Sequence, residues 1–552
     1  MFVGQPPTVD EEYVVPANSS RHDRGMKSKV EYRNVIETSA RYHGSIRSTA
    51  ALVNSTLKDL ELFIEKNTST SLKGMLGDHG IDISKLYIDR QRILDLKKEY
   101  EADVIADHQK EQSQLTCIKF DGRKDAKTLS APGKHIREEH VTVISEPGSV
   151  YIDHFTPLND KAASLADELY TLLLEKNSSS TLRVIGADGT NVNTGQKGGA
   201  IKILEDKLDA PLFWDICLLH FNELPFRHLF EFLDGKYKGP GIYEGPIGQA
   251  MAALSKKVPG NVVKFVSIDG KVPELPESFI KNLSYDQRYL YEVSHAIQNG
   301  SFPPSLVKRN PGTVHQARWV TSANNILRLY AQTLRPSANL RRLCIIILNF
   351  YAPCFFKIKQ DYHITQGARN FYFALRLARD CMTGKEFEVA KKVFQFNSFF
   401  AHPEAIILSA LVDRDLRIRK TAVNYILEDR RRRNDETSDT SRRLFKKPSV
   451  NFKASSYLEL TDFSKVDITY ITEPPLTFDI PEEDLHNCYQ GINLKLPDIP
   501  CHSQNVERAV AATTEAAENA IGQAKRHAHI LQTTKSRQSL PTNATKKQFM
   551  EK

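Results

Sequence analysis

Two carboxylates sit in matching contexts. Asp121 lies in Cys117-Ile-Lys-Phe-Asp-Gly-Arg-Lys-Asp125, and Asp188 in Ile185-Gly-Ala-Asp-Gly-Thr-Asn-Val-Asn-Thr-Gly195. Asp-Gly is a common turn pair, and a turn is the plain reading of either segment alone. Their pairing points further, because a carboxylate at a strand's end faces the opening where ligands of mixed sheets commonly bind. A third acid, Glu507, lies in Pro500-Cys-His-Ser-Gln-Asn-Val-Glu-Arg508. Beside Arg508 it reads as a solvated helix carboxylate; its position, in the first apparent helix after a long helical stretch, makes the functional case. Three acids can hold two Mg²⁺ (or Mn²⁺) ions, since small hard cations prefer carboxylate oxygen. Two such ions about 3.5–4 Å apart activate an attacking oxygen and stabilise a leaving one in phosphodiester cleavage. That scheme requires no histidine base.

Other residues are candidates for binding. Cys217-Leu-Leu-His220 ends an apolar segment. As half of a zinc site it is weak, because only His228 stands near in sequence. Packing behind the acidic residues, or His220 touching DNA beside them, suits the pair better. Trp319, in His315-Gln-Ala-Arg-Trp-Val-Thr-Ser322, is one of two tryptophans. It reads either as a helix-start ring tucked into the core or, with Arg318, as a platform for an unpaired base. Arg430 and Arg431 open a run of four arginines suited to phosphates, to a solvated face or to a nuclear-localisation patch.

These residues need elements to hold them. Residues 115–121, 141–145 and 150–154 read as strands, the last two joined by Glu146-Pro147-Gly148. A helix is predicted over 161–176, a strand over 182–187, a helix over 198–208 and a strand over 212–218. The order β-β-β-α-β-α-β describes an α/β mixed sheet with helices on its faces. It resembles the ribonuclease-H-like fold, in which the first and fourth strands are neighbours, so that Asp121 and Asp188 could share a metal. The predicted organisation is an arm over 1–45, an N-terminal helical segment over 46–112 and a first sheet part over 113–220. A mainly helical insertion follows over 221–500, loop-rich at 434–480, then a last helix of the sheet domain over 501–526 and a basic tail over 527–552.

Composition sets the class. The chain has 552 residues, a net charge of +8, 40% hydrophobic and 26% charged residues. That is a globular balance, not a collagen, a wholly disordered chain or a disulfide scaffold, and the charge permits a polyanionic partner. Seven scattered cysteines suit a reducing compartment. No basic-then-apolar opening suggests a secretory signal. The most apolar run, 344–356, is broken by Pro353 and falls short of the roughly 20 residues of a membrane span. It is predicted as a buried helix, with no membrane partner.

Taken in order, Asp121-Gly122, Asp188-x-x-Asn191, Cys217-x-x-His220, Arg318-Trp319-x-x-Ser322 and Ser503-x-x-x-Glu507-Arg508 resemble the landmarks of hAT-superfamily DNA transposases. The resemblance covers about residues 115 to 525. The segments 217–225 and 500–508 also look like invertebrate transposase-like proteins. It implies a ribonuclease-H-like catalytic domain interrupted by a large all-helical insertion, and the acidic triad carries over to Asp121, Asp188 and Glu507. It also implies Cys217 and His220 as the Cys-x-x-His pair, Trp319 as the residue steadying a flipped base near a flanking hairpin, and homo-oligomers acting on element ends and target DNA in the nucleus.

Two departures stand out. Residues 46–112 contain no cysteine, so they supply no zinc-binding BED finger. Asp188 is followed by Gly-Thr-Asn where the family commonly has Asp-Asn-x-x-Asn. Both fit a truncated element copy or a host-recruited derivative. The rivals are a catalytically inactive DNA-binding or protein-interaction protein on the same scaffold, and an all-helical scaffold whose Asp-Gly pairs are only turns.

Overall fold

The computed structural model describes residues 114–502 except 125–127, 132–133, 137–138, 196–197, 240–241, 256–261, 313–318, 397–403, 436–448 and 462–479. Outside that span it describes 95, 98, 102, 103, 105, 106, 527, 530 and 531. The chain divides between Tyr100 and Glu101, and everything below lies in the second part. The expected arm over 1–45, nearly all of the segment 46–112 and most of the expected last helix fall outside the described residues.

Five strands form one mixed sheet: β1 Cys117–Lys124, β2 Glu139–Ser145, β3 Val150–Phe155, β4 Val184–Ala187 and β5 Phe213–Ile216. Their order is β3-β2-β1-β4-β5. β1 runs antiparallel to β2, and β2 to β3, while β4 is parallel to β1 and β5 to β4. The helices α1 Ala162–Glu175 and α2 Ala200–Leu208 connect the parallel strands. An α/β mixed sheet was the sequence expectation; the all-helical rival is therefore excluded. A hairpin of Thr128–Ala131 with Lys134–Ile136, between β1 and β2, was not expected.

Alternation sorts the residues of the sheet onto two faces. Ile118, Phe120, Ile185, Ala187, Trp214 and Ile216 pack with Leu169 and Leu173 of α1 and Ile201 and Leu204 of α2. Cys117, Val184, Phe213 and Cys217 point the other way and join the core of the helical insertion. That insertion opens with α3 Leu218–Asp234. It continues through α4 Pro246–Ser255, α5 Tyr285–Gln298, α6 Trp319–Gln332 and α7 Ala338–Gln360, then α8 Gly367–Cys381 and α9 Gly384–Phe396. A satellite core joins α10 Glu404–Leu411, α11 Leu416–Asp435 and α12 Glu482–Tyr489.

Helix α7 is long and apolar enough to cross a membrane, yet 72% of its apolar window is buried inside the fold. Pro353 cannot donate a helical hydrogen bond, and the helix widens into a π turn at Ile347–Tyr351. Side-chain and loop donors reach the carbonyls there: Lys271 N donates to Leu348 O at 3.0 Å and Asn222 Nδ2 to Tyr351 O at 3.0 Å. Within the expected loop-rich stretch, Val450, Ala454 and Leu460 are buried, so this part is a packed loop.

Candidate functional site

One row of residues crosses the three parallel strands. Lys119 of β1 stands opposite Gly186 of β4, and Gly186 opposite Asp215 of β5. The glycine leaves a channel. A Cβ there would lie 2.6 Å from Lys119 Cγ, so the lysine stem passes over Gly186 and its ammonium meets the Asp215 carboxylate. Lys119 Nζ also donates to the carbonyl of Pro500. Lys119 and Asp215 are 1% and 3% exposed, and a charge at that depth persists only when paired. Burial opposes the ammonium, but the field and hydrogen bond of Asp215 outweigh it and raise the lysine above its ordinary value.

The row also anchors the returning chain. Pro500 forms a bridge with His363, Ile364 N donates to Ile499 O at 2.8 Å, and Leu218 N donates to Cys501 O at 3.0 Å. The chain is thus tied to the start of α3, at the C-terminal end of β5, just before the segment that contains Glu507. Cys117, Cys217 and Cys501 are buried around this junction. Burial pushes the thiols of Cys117 and Cys501 far up, which makes them inert packing groups.

Two residues beyond the Lys119–Gly186 pair, toward the C-terminal ends of β1 and β4, come Asp121 and Asp188. They share the parity of Lys119 and Gly186, so alternation assigns them to the same face. Adjacent strands stand about 4.8 Å apart, and both residues are half-buried. Asp121 is still within β1, opposite Thr142 of β2, and its Oδ1 accepts from Gly122 N at 2.9 Å. Asp188 lies just past β4. Its Oδ1 accepts from Thr190 N at 3.1 Å, Thr190 Oγ1 at 2.8 Å and Asn193 Nδ2 at 2.7 Å. Three donors on one oxygen fix the carboxylate's plane and leave Oδ2 as the atom that could ligate an ion. Two carboxylates with a hydroxyl and an amide beside them form a hard-oxygen donor set, which suits a small divalent cation.

His220, in the first turn of α3, is half-buried beside this mouth. Its Cδ2 is 3.9 Å from where a Gly189 Cβ would stand. Cys217 is the N-cap residue of α3. His228 is exposed on the same helix.

The remaining candidates fare differently. Glu507 and Arg318 lie outside the described residues. Trp319 is 5% exposed, enclosed by Phe226, Phe230 and Tyr237 at ring separations of 5.5, 5.6 and 6.2 Å. The stacking reading of Trp319 is corrected: its ring fills the core, and no face is left for a base. Arg430 is half-buried and donates to Ile480 O at 2.8 Å, so it ties α11 to the segment before α12. Arg431 is exposed.

Lys119, Gly186, Asp215, Thr190 and Asn193 were missed in the sequence. Of these, the Gly in Ile185-Gly-Ala187 carried the one available signal, since a glycine inside a strand marks close approach of another group. Asn191, rather than Asn193, had matched the family landmark; Asn191 is exposed. No protein-family model matches the chain, and no curated protein matches it.

Proposed function

We propose that the chain is a hAT-like DNA transposase, or a domesticated derivative of one, with a ribonuclease-H-like nuclease centre at the mouth of β1 and β4. One observation carries the reading. The strand order β3-β2-β1-β4-β5, with its antiparallel and then parallel pairings, agrees with that fold, with Asp121 in β1 and Asp188 just past β4, each two residues beyond the Lys119–Gly186 pair. The anchoring of Ile499–Cys501 beside β5 adds support, because it returns the chain to the sheet shortly before Glu507.

In this reading Asp121, Asp188 and Glu507 hold Mg²⁺ or Mn²⁺. When bound, the ions supply positive charge to the attacking and leaving oxygens of a phosphodiester. Thr190 and Asn193 orient the Asp188 carboxylate, and the Lys119–Asp215 pair locks the strands beneath it. His220 lies where a DNA phosphate would pass. The reaction is hydrolysis at an element end, after which the freed 3′-hydroxyl attacks the opposite strand or a target phosphate. Homo-oligomers and nuclear location belong to the same proposal.

The enclosure of Trp319 favours a second reading, a non-catalytic DNA-binding or interaction protein on this scaffold, since the buried Trp319 ring is not presented to a flipped base. Nicking of hairpin and element-end DNA separates the two. Wild-type chain is expected to nick with Mg²⁺ or Mn²⁺, and Asp188→Ala to fall to background. If both are equally inert with either ion, the catalytic proposal fails and the binding reading stands.

A further inference from the structure

A second set of ligand-type atoms gathers at the opposite edge of the sheet. In a flat strand Tyr151 and His154 would point to opposite faces. The register of β2 with β3 shifts between Val143 and Ile144, whose partners are Asp153 and Tyr151. This bulge turns the two side chains together, and Tyr151 Oη stands 2.6 Å from His154 Nδ1. His527 arrives from far along the chain. It is helical, as are Ile530 and Leu531, which are 0% and 6% exposed. These residues fall where a basic tail was expected; the apolar pair three and four positions after His527 is buried.

Asp153 Oδ1 is 3.8 Å from His154 Nδ1 and 3.6 Å from His527 Nδ1, and the three atoms all lie within 4.8 Å of one another. Ligand atoms held about 2.0–2.1 Å from a tetrahedral ion stand roughly 3.3 Å apart, so the two aspartate–imidazole separations must close by a few tenths of an ångström, and the imidazole–imidazole separation by up to about 1.5 Å, to reach ligating distance. The His154 backbone N–H donates to Asp153 Oδ1 at 2.8 Å and steadies the carboxylate. Tyr151 Oη, 2.6 Å from His154 Nδ1 and 3.5 Å from His527 Nδ1, must give up these contacts when an ion takes the two nitrogens, and its hydroxyl then stands close enough to hydrogen-bond a solvent ligand in the fourth position. The side chains of Asp153 and His527 are 31% and 19% exposed, which gives an ion a path in.

We propose that Asp153, His154 and His527 form a site for a borderline-soft divalent cation such as Zn²⁺, which clasps His527, and with it Ile530 and Leu531, to the edge strand β3. Two imidazoles and one carboxylate favour Zn²⁺, Co²⁺ or Ni²⁺ over Mg²⁺, which separates this site from the all-oxygen set at Asp121 and Asp188. The proposal goes beyond the transposase reading and stands independently of it.

The test uses the full chain, stripped with a chelator and titrated with Co²⁺ and Zn²⁺. The expected result is one equivalent of Co²⁺ with visible d–d absorption, displaced by Zn²⁺. Affinity should fall at least tenfold in Asp153→Asn and in His527→Gln, and stay unchanged in the double variant Asp121→Asn/Asp188→Asn. A band that survives both single variants, or that disappears in the double variant, overturns the proposal. Hydrogen exchange on wild-type protein covers variants that fail to fold. Zn²⁺ should slow exchange in β3 and around 527–531, and unchanged exchange there at saturating Zn²⁺ overturns the proposal equally.

Discussion

Strand β5 has a carboxylate against each face, its own buried Asp215 and Glu205 of α2, and they meet different partners. Asp215 points into the insertion side and meets the Lys119 ammonium. On the opposite face Trp214 donates its indole N–H to Glu205 Oε1 at 2.9 Å, and Leu212 N donates to the same oxygen at 2.9 Å. Lys202 Nζ stands 3.9 Å from Glu205. Burial raises Glu205 to about 7, against those neutral donors and Lys202. Burial raises Asp215 as well, against the field and hydrogen bond of Lys119. The comparison shows that burial pushes up both acids and that their partners, a cation in contact on one face and neutral N–H donors on the other, each offset only part of the loss of water.

The largest effect should come from breaking the charged side. Asp215→Asn leaves an ammonium buried without its counter-charge, and such losses cost about 3–5 kcal/mol. The expected result is a large fall in denaturation midpoint. Replacing both partners, as Lys119→Met with Asp215→Leu, should recover most of it, because a packed apolar pair is often neutral or better. Both variants are read by chemical denaturation followed by circular dichroism. A harmless Asp215→Asn would mean that the lysine finds other compensation.

The neutral side yields a pH prediction. Glu205 has its folded pKa raised from 4.5 to about 7, so between those values the folded chain binds more protons than the unfolded one. Stability from this group is therefore full below about pH 4.5, declines as pH rises to about 7 and is level above. Glu205→Gln keeps an acceptor oxygen for Trp214 and Leu212 and removes the charge. At pH 8 it should stabilise by an amount on the order of 3 kcal/mol, since each pKa unit is worth about 1.4 kcal/mol. At pH 4.5 the gain should vanish. A gain equal at both pH values would show that charge is not its source.

Much of the sheet was legible because alternation of apolar residues reports directly on burial of a strand face; Asp188-Gly189 marked the end of β4, whereas β1 continues through Asp121-Gly122 to Lys124. Lys119 was not legible. In Ile118-Lys-Phe120 a polar residue between apolar ones reads as solvent-facing, and only the register with Gly186 and Asp215 shows that it is enclosed. Trp319 illustrates the same limit from the apolar side. Its type suits a core or a stacking platform equally, and the choice was made by Phe226 and Phe230, far away in sequence. The hairpin at 128–136 escaped notice because Thr128-Leu-Ser-Ala131 has no clean period. At 527–531 a polar and basic composition concealed the Ile530–Leu531 pair.

The smallest expected effect on stability lies at the mouth, and it sharpens the comparison by adding a half-buried carboxylate to the two buried ones. Asp188→Asn keeps an Oδ1 acceptor for Thr190 and Asn193 and removes a charge that water still reaches. Partly solvated positions without a buried partner shift stability by about 0.5 kcal/mol or less, so the denaturation midpoint should barely move. Any nicking activity, in contrast, should fall with the lost charge. A large stability loss, close to that of Asp215→Asn, would class Asp188 as a structural acid. Such a result would place the turn after β4 in service of the sheet, because a residue kept for ion binding contributes its charge to the ligand and little to the fold.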